Sequence, residues 1–152
     1  MKSILPSQFK IIVNCGPKCL QLIANYYGKE YDLKLLGEVS NIGSTGVSML
    51  GLIQGAEKIG FNAICVEISL ESLALNAPLP CILHWAGCHF VVLDKIEGTG
   101  HKEGRNYFIT DPSLGQMSLN EANFSLMWLK ASSDNPPLTP KGIALLLEPI
   151  SL

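Results

Sequence analysis

The first part of the chain carries apolar residues at helical spacing, and the remainder carries short apolar runs typical of strands. The helical pattern predicts one helix over Gly16–Tyr27, ended by Gly28, and a second from Asp32 as N-cap to about Val39, with Leu33, Leu35 and Leu36 facing inward. A third predicted helix begins at Ser48, buries Leu50, Leu52, Ile53, Ala56 and Ile59 on one face, and stops at Gly60.

Strands dominate the prediction after Gly60. The predicted strands are Phe61–Ile68, Pro78–Trp85, His89–Ile96, Asn106–Thr110 and Gly142–Leu147. Two short helices are predicted at Ser69–Leu75 and Asn120–Lys130, a hairpin link at 86–88, a turn at Asp111–Gly115 and a loop at Ala131–Lys141. Helices first and strands afterwards, with short connections, predict an α+β fold in which a helical half packs on a C-terminal antiparallel sheet.

Composition narrows the functional classes. With 152 residues, 47% of them hydrophobic and 16% charged, the chain is expected to form a single folded domain over 1–152. A formal net charge of -2 and the lack of a basic run argue against nucleic acid and anionic membranes as partners. We expect no membrane helix and no secretory signal. Five cysteines without paired spacings disfavour a disulfide framework or structural zinc and favour a reducing cytosol, and no metal or cofactor motif is found.

Cys15 is the first candidate for chemistry. It lies in Asn14-Cys15-Gly16-Pro17 at the start of the first predicted helix, where the helix dipole and unpaired N–H groups favour the thiolate. Gly16 is expected to leave the sulfur uncrowded, and Pro17 suits the first turn of a helix. An isolated cysteine here would be interpreted as a buried side chain, and it is the downstream residues that favour a nucleophile.

A histidine at the start of a strand is the second candidate. His89 opens the apolar run His89-Phe90-Val91-Val92-Leu93, which would hold its ring rigidly enough for a general base. A core histidine that caps the hairpin is the competing interpretation. His84 is a second choice because it lies inside the preceding strand, and His101 is expected to be solvated in a loop.

Asp111 is the third candidate. It follows a predicted strand, so its carboxylate is placed to accept a hydrogen bond from the histidine and fix the tautomer. Asp-Pro is also common turn chemistry, so the indication comes from the combination: a cysteine, a histidine and an aspartate that can converge between a helical half and a sheet half.

The remaining candidates are the donors of an oxyanion hole and the other four cysteines. The backbone N–H of Cys15 is one expected oxyanion donor, and Gln8, the only glutamine before it, is the candidate for the other. Cys19, Cys65 and Cys81 are interpreted as core residues in apolar segments, whereas Cys88 adjoins His89 in the hairpin link and stays open.

Several motifs in one order make the chain resemble the double-glycine leader peptidases, the papain-like domains of bacteriocin-processing ABC transporters. The matching segments are Asn14-Cys15-Gly16-Pro17-Lys18-Cys19-Leu20, Ile23 with Tyr26-Tyr27-Gly28, Gly46-Val47-Ser48-Met49-Leu50-Gly51-Leu52, Ala56-Glu57-Lys58-Ile59-Gly60-Phe61, Leu79-Pro80-Cys81-Ile82-Leu83-His84-Trp85, His89-Phe90-Val91-Val92-Leu93, Asp111-Pro112 and Gly115.

The resemblance implies a papain-like cysteine peptidase with a Cys15-His89-Asp111 triad, which cleaves the leader of a bacteriocin-like precursor after a Gly-Gly pair. It implies the leader peptide as partner, with the membrane and nucleotide-binding domains of an ABC transporter where these are attached, and a cytoplasmic location. It also implies a narrow cleft for the two glycines and a hydrophobic surface for the leader helix.

Two positions differ from the family pattern. Asn14 stands where the family usually has Asp, and Phe9 stands six residues before the cysteine, where the family has its oxyanion glutamine. Either the N-terminal segment bulges by one residue, so that Gln8 serves, or that donor is missing. The alternative function is therefore a non-cleaving domain that binds the leader or substrate of an export transporter. A papain-like transferase or amidase is the third hypothesis, because a fold does not fix its reaction.

Overall fold

Three helices begin the fold in the computed structural model, which describes residues 14–87, 89–99, 104–129 and 140–151. They are α1 (Cys15–Tyr26), α2 (Leu33–Val39) and α3 (Met49–Lys58). Each lies where the apolar spacing predicts it, within a residue at either end. Asp32 and Ser48 cap α2 and α3 as predicted, because each side chain accepts a hydrogen bond from a backbone N–H of the first turn.

Strands and two short helices follow. They are β1 (Phe61–Ser69), α4 (Leu70–Asn76), β2 (Cys81–Trp85), β3 (His89–Gly98), β4 (Arg105–Asp111), β5 (Gly115–Asn120), α5 (Glu121–Trp128) and β6 (Lys141–Pro149). The side chains of Ser69 and Asn120 cap α4 and α5. The predicted loop at Ala131–Lys141 lies almost entirely outside the described residues.

All the strands of the described chain form one six-stranded sheet in the order β1-β6-β2-β3-β4-β5. Every pairing is antiparallel, which confirms the predicted α+β class. Strand β6 lies between β1 and β2, where it pairs with Phe61–Ser69 along its whole length and with Ile82 and Leu83 on the other side. Strands β2 and β3 form the predicted hairpin, with Trp85 opposite His89.

Helices cover both faces of this sheet. Alternation along each strand sends one set of side chains to each face, so Ile82 and Leu145 pack with α1, α2 and α3, whereas Leu83 and Ala144 pack with α4 and α5. On the second face, the ring of Phe124 stacks on that of Tyr107 with centroids 4.1 Å apart. The core therefore has two layers, and α1 packs directly on β3.

Some details differ from the prediction. Leu35 and Leu50, expected to face inward, are 42% and 63% exposed. The strand predicted from Pro78 begins only at Cys81, since Pro78 and Pro80 have no N–H for a sheet ladder. Strand β5 was missed because its side chains are half-buried or exposed and form no apolar run.

Close contact between α3 and the C-terminal end of α2 depends on two glycines. A Cβ on Gly51 would clash with the carbonyl oxygen of Ser40, and a Cβ on Gly55 would clash with the Ser40 hydroxyl. Ser40 is fully buried, and its hydroxyl has no hydrogen-bond partner among the described residues. This contact fixes α3, whose Leu52 packs on Gly16 beside Cys15.

We predict that Gly55→Ala lowers the free energy of unfolding by about 2 kcal/mol, because the added methyl group overpacks the contact with Ser40. Chemical denaturation measures the loss. Glu57→Ala, at an exposed position of the same helix, should change stability little. The double variant Ser40→Gly/Gly55→Ala should recover most of the loss, since it opens the space. Equal losses in the single and double variants would contradict this account.

Candidate active site

Cys15 is the first residue of α1 and is only 5% exposed. Asn14 occupies the N-cap position without a side-chain hydrogen bond to the helix, so its side chain does not close the helix end. Gly16 has a packing role that the sequence did not indicate, because a Cβ there would lie 3.0 Å from a methyl group of Leu52. The helix start therefore carries the thiol at the boundary between α1, α3 and the sheet.

His89 is the first residue of β3, and its side chain is 22% exposed. Its Nε2 lies 2.9 Å from Oδ1 of Asp111. A hydrogen bond with Cys15 is the largest influence on its pKa, and with the bond and charge of Asp111 it outweighs burial and raises the pKa of His89 from 6.5 to about 9. Since Nε2 is used by Asp111, Nδ1 is left for Cys15. The ring is thus held between the two partners and is protonated at neutral pH.

Asp111 ends β4 and is 4% exposed. Its Oδ1 accepts hydrogen bonds from the backbone N–H and the hydroxyl of Ser113, at 2.8 and 2.7 Å, and from the N–H of Leu114 at 3.3 Å, in addition to the bond with His89. Burial alone would raise the pKa of Asp111, but the hydroxyl of Ser113, His89 and the backbone N–H of Ser113 together lower it below its ordinary value. The carboxylate is therefore ionised beside the imidazolium.

The structure describes one of the other sequence candidates, His84. The ring of His84 faces that of Phe90 at 5.5 Å. Gln8, Cys88 and His101 lie outside the described residues, so the structure does not test their assignments.

The remaining described cysteines divide into two kinds. Cys19 and Cys81 are fully buried, as predicted, and burial raises the pKa of the Cys81 thiol to about 12. The prediction for Cys65 was wrong, because its thiol is exposed on β1. Residues 64 and 65 are both exposed in the middle of that strand.

A cleft of about 380 Å³ is lined by residues that include neighbours of Cys15 and His89. Its lining is mostly apolar and comes from the segment before α3, from β1, β2, β6 and from the hairpin: Thr45, Val47, Ser48, Met49, Cys65, His84, Gly87, Phe90 and Ile143. Phe90 follows His89 in the chain, and Val47 contacts the site that a Cβ on Gly16 would occupy. Two lining residues of the cleft, Val47 and Phe90, therefore lie next to Gly16, which follows Cys15, and next to His89.

Sequence comparison identifies the family. The Peptidase C39 family profile matches residues 12–132, which include Cys15, His89 and Asp111. The chain belongs to the peptidase C39 family. The resemblance drawn from the motifs is therefore confirmed, and the class of protein is that of the cysteine peptidases.

Two curated relatives illustrate the likeness. The chain is 35% identical over 101 residues to the colicin V secretion/processing ATP-binding protein CvaB of Escherichia coli, which covers 66% of the chain and 14% of the relative. It is 30% identical over 133 residues to the lactococcin-G-processing and transport ATP-binding protein LagD of Lactococcus lactis subsp. lactis, which covers 84% of the chain and 18% of the relative. The chain thus spans less than a fifth of the length of these proteins.

The fold is also that of the family's solved structures. A double glycine motif protease from an AMS/PCAT transporter, determined in complex with its leader peptide, superposes with a TM-score of 0.74 at 25% identity, covering 90% of this chain and 85% of that one. The papain-like α+β architecture is therefore confirmed. In the described ranges, no helix is long and apolar enough to cross a membrane.

Sequence reasoning missed Ser113 and the lining of the cleft. The signal for Ser113 was present, because an Asp at the start of a turn commonly accepts a hydrogen bond from the backbone N–H two residues on, which here belongs to Ser113. The cleft lining comes from five separate segments, and no local pattern links them.

We predict that the His89 ring titrates near pH 9 and that Cys15→Ala moves the midpoint down toward 6.5, because the variant removes its strongest hydrogen-bond partner. Histidine ring ¹⁵N NMR across pH 5–10 measures both midpoints, with His89→Gln to assign the signal. Cys81→Ala, which removes a buried thiol on the other face of the sheet, should leave the midpoint unchanged. An unaltered midpoint in Cys15→Ala would show that the thiol does not contact the ring.

Proposed function

We propose that the chain is a cysteine endopeptidase in which Cys15 is the nucleophile, His89 the acid and base, and Asp111 the residue that orients His89. One observation carries the proposal: the His89 ring lies 2.9 Å from the Asp111 carboxylate, and its interaction with Cys15 is the largest influence that raises its pKa. A nucleophile, a base and a third group that orients the base make up a minimal acyl-transfer site. Residues 1–152 would form a single peptidase domain.

In the first half of the reaction, the Cys15 thiolate attacks the carbonyl carbon of the scissile peptide bond, and the carbonyl electrons move onto oxygen. As the tetrahedral intermediate collapses, the carbon–nitrogen bond breaks and the His89 imidazolium gives its Nδ1 proton to the leaving nitrogen. The products are a free amine, a thioester on Cys15 and a neutral His89. Throughout, the Nε2–H of His89 donates a hydrogen bond to Asp111, so this proton stays on the ring and Nδ1 continues to face the sulfur.

Water completes the cycle. Neutral His89 takes a proton from a water molecule at Nδ1 while the water oxygen attacks the thioester carbon. The carbon–sulfur bond then breaks, Cys15 leaves as the thiolate, and His89 is again the imidazolium. Because the pKa of His89 is about 9, its ring is in the imidazolium form at neutral pH and has a proton ready for the leaving nitrogen.

The oxyanion formed in each half needs hydrogen-bond donors. The backbone N–H of Cys15 is one, since it is in the first turn of α1, where helix N–H groups have no partner inside the helix. We propose Gln8 as the second donor, as the sequence suggests.

The proposed substrate is the leader of a bacteriocin-like secreted peptide, cut after a Gly-Gly pair. Support comes from two relatives, which are named as a secretion/processing protein for colicin V and a processing and transport protein for lactococcin G. It also comes from the solved double glycine motif protease, which is in complex with the leader peptide. We propose that the domain acts on the cytoplasmic side of the membrane, alone or attached to the membrane and nucleotide-binding domains of a transporter.

The apolar cleft beside the site is proposed to hold side chains of the leader. Leu50, which follows the lining residue Met49 in α3, is also exposed, and we propose it as part of the docking surface. A peptide laid along this cleft would reach Cys15 past Val47 and Phe90. Burial of apolar leader side chains would then supply affinity without touching the bond that is cut.

We predict that the protein cuts a peptide with a Gly-Gly junction after the second glycine and that Cys15→Ala abolishes product, because the variant removes the proposed nucleophile. Mass spectrometry of the products measures the position and extent of cleavage. Cys19→Ala is the matched control: its thiol lies one helical turn further on and is fully buried, so cleavage should persist.

Three outcomes would revise the proposal. Full activity in Cys15→Ala would remove the nucleophile assignment. Binding of the leader by the wild type without any product would favour the non-cleaving binding domain. Turnover of a small amide or ester, but not of the Gly-Gly peptide, would favour a transferase or amidase.

We predict that Cys65→Asp raises KM for the leader peptide about tenfold and leaves kcat nearly unchanged, because a charge in the apolar cleft opposes docking and does not touch the reacting atoms. Initial rates over a range of peptide concentrations separate the two constants. Leu75→Asp places the same charge at an exposed apolar position of α4, away from the cleft, and should change neither constant. Equal KM values for wild type and Cys65→Asp would exclude this cleft as the docking site.

A further inference from the structure

One oxygen of Asp111 accepts four hydrogen bonds. Oδ1 receives His89 Nε2 at 2.9 Å, the N–H of Ser113 at 2.8 Å, the hydroxyl of Ser113 at 2.7 Å and the N–H of Leu114 at 3.3 Å. The hydroxyl bond is the shortest of the four. Ser113 thus supplies two of the donors that hold the atom to which His89 is bound.

The donors from Ser113 and Leu114 differ in whether they depend on the side chain. The two backbone N–H groups are set by the turn after β4, in which the N–H of Leu114 also bonds to the carbonyl oxygen of Asp111. Any residue at position 113 that keeps the turn would provide the backbone bond. The hydroxyl bond requires a side chain with a hydroxyl group. A substitution at position 113 can therefore remove one hydrogen bond to the Asp111 carboxylate and leave the backbone bonds in place.

Because the His89 ring is bonded to Oδ1 of Asp111, holding this oxygen in place also holds the ring in place. A carboxylate with one bond to His89 can rotate about its last side-chain torsion and offer either oxygen, and each rotation would tilt the imidazole away from the Cys15 sulfur. Donors that all converge on Oδ1 oppose this rotation. They also stabilise the negative charge that keeps the imidazolium at its resting position.

We propose that Ser113 is a positioning residue of the peptidase: its hydroxyl anchors Oδ1 of Asp111 and through it the His89 ring. The proposal rests on the proposed function of the Cys15-His89-Asp111 series, and Ser113 itself does not contact the reacting atoms. Residue 113 is exposed, so water can donate to Oδ1 when the hydroxyl is removed. Water is not tethered to the turn, and part of the constraint is therefore lost.

The test compares Ser113→Ala with Ser113→Thr, which keeps the hydroxyl, and with Ser118→Ala, which removes an exposed hydroxyl from the neighbouring strand. Carbon-13 NMR of the aspartate carboxyl groups, with Asp111→Asn to assign the signal, gives the titration midpoint of Asp111. Initial rates on a Gly-Gly peptide give kcat and KM for each variant.

In Ser113→Ala we expect the Asp111 midpoint to rise by about half to one pH unit, and kcat to fall about threefold to tenfold with KM unchanged. Ser113→Thr should restore both values, and Ser118→Ala should match the wild type. A purely structural role would lower stability without moving the Asp111 midpoint. Wild-type values of the midpoint and of kcat in Ser113→Ala would overturn the proposal.

The two proposals fail in different ways. If the wild type cut no peptide, the proposed function would fail, yet the Asp111 titration would still report on the hydroxyl. If the wild type cut the peptide and Ser113→Ala did so equally well with an unmoved titration, only the role of Ser113 would be wrong.

Discussion

The packing of α1 on β3 determines where every other part of the site lies. Cys15 begins the helix and His89 begins the strand, so their contact depends on how the two elements are aligned. Leu20 and Ile23 belong to the same buried cluster as Phe90 and Val92, and this cluster fixes that alignment. A helix shifted by one residue along its axis would move the sulfur by about 1.5 Å, enough to lose a hydrogen bond.

Electrostatic interactions then determine the protonation states of His89 and Asp111. The site contains a nearly buried carboxylate and a half-buried imidazolium, and such charges are stable only when each is hydrogen-bonded. Asp111 is stabilised by the turn that follows β4, and His89 by the partners on its two sides. The raised pKa of His89 means that the stabilisation from its charge is complete below about pH 6.5 and is lost as the pH rises through about 9. The lowered pKa of Asp111 acts at the acidic end, where its contribution disappears as the carboxylate takes up a proton.

Much of this arrangement was predictable from the sequence, and what was missed has a physical reason. Helix starts at Asp32 and Ser48 and the hairpin before His89 follow from local residue chemistry, and the order of elements gave the α+β class. Strand β5 was missed because Gln116 and Ser118 face solvent and break the apolar pattern. Leu50 and Cys65 are exposed although they lie in apolar segments, because burial depends on how helices and strands pack, and local periodicity does not contain that information. The Asp111 carboxylate was assigned from its place after a strand, whereas the bonds from Ser113 required the turn geometry.

The place of β6 in the sheet has a consequence for the order of folding. Residues 141–149 are inserted between β1 and β2, two strands that lie far earlier in the chain. Until that segment is synthesised, β1 has no strand partner within the described chain and β2 presents an open hydrogen-bonding edge. On the ribosome, β1 would therefore join the sheet only after residues 141–149 have emerged, which is late in the synthesis of the chain.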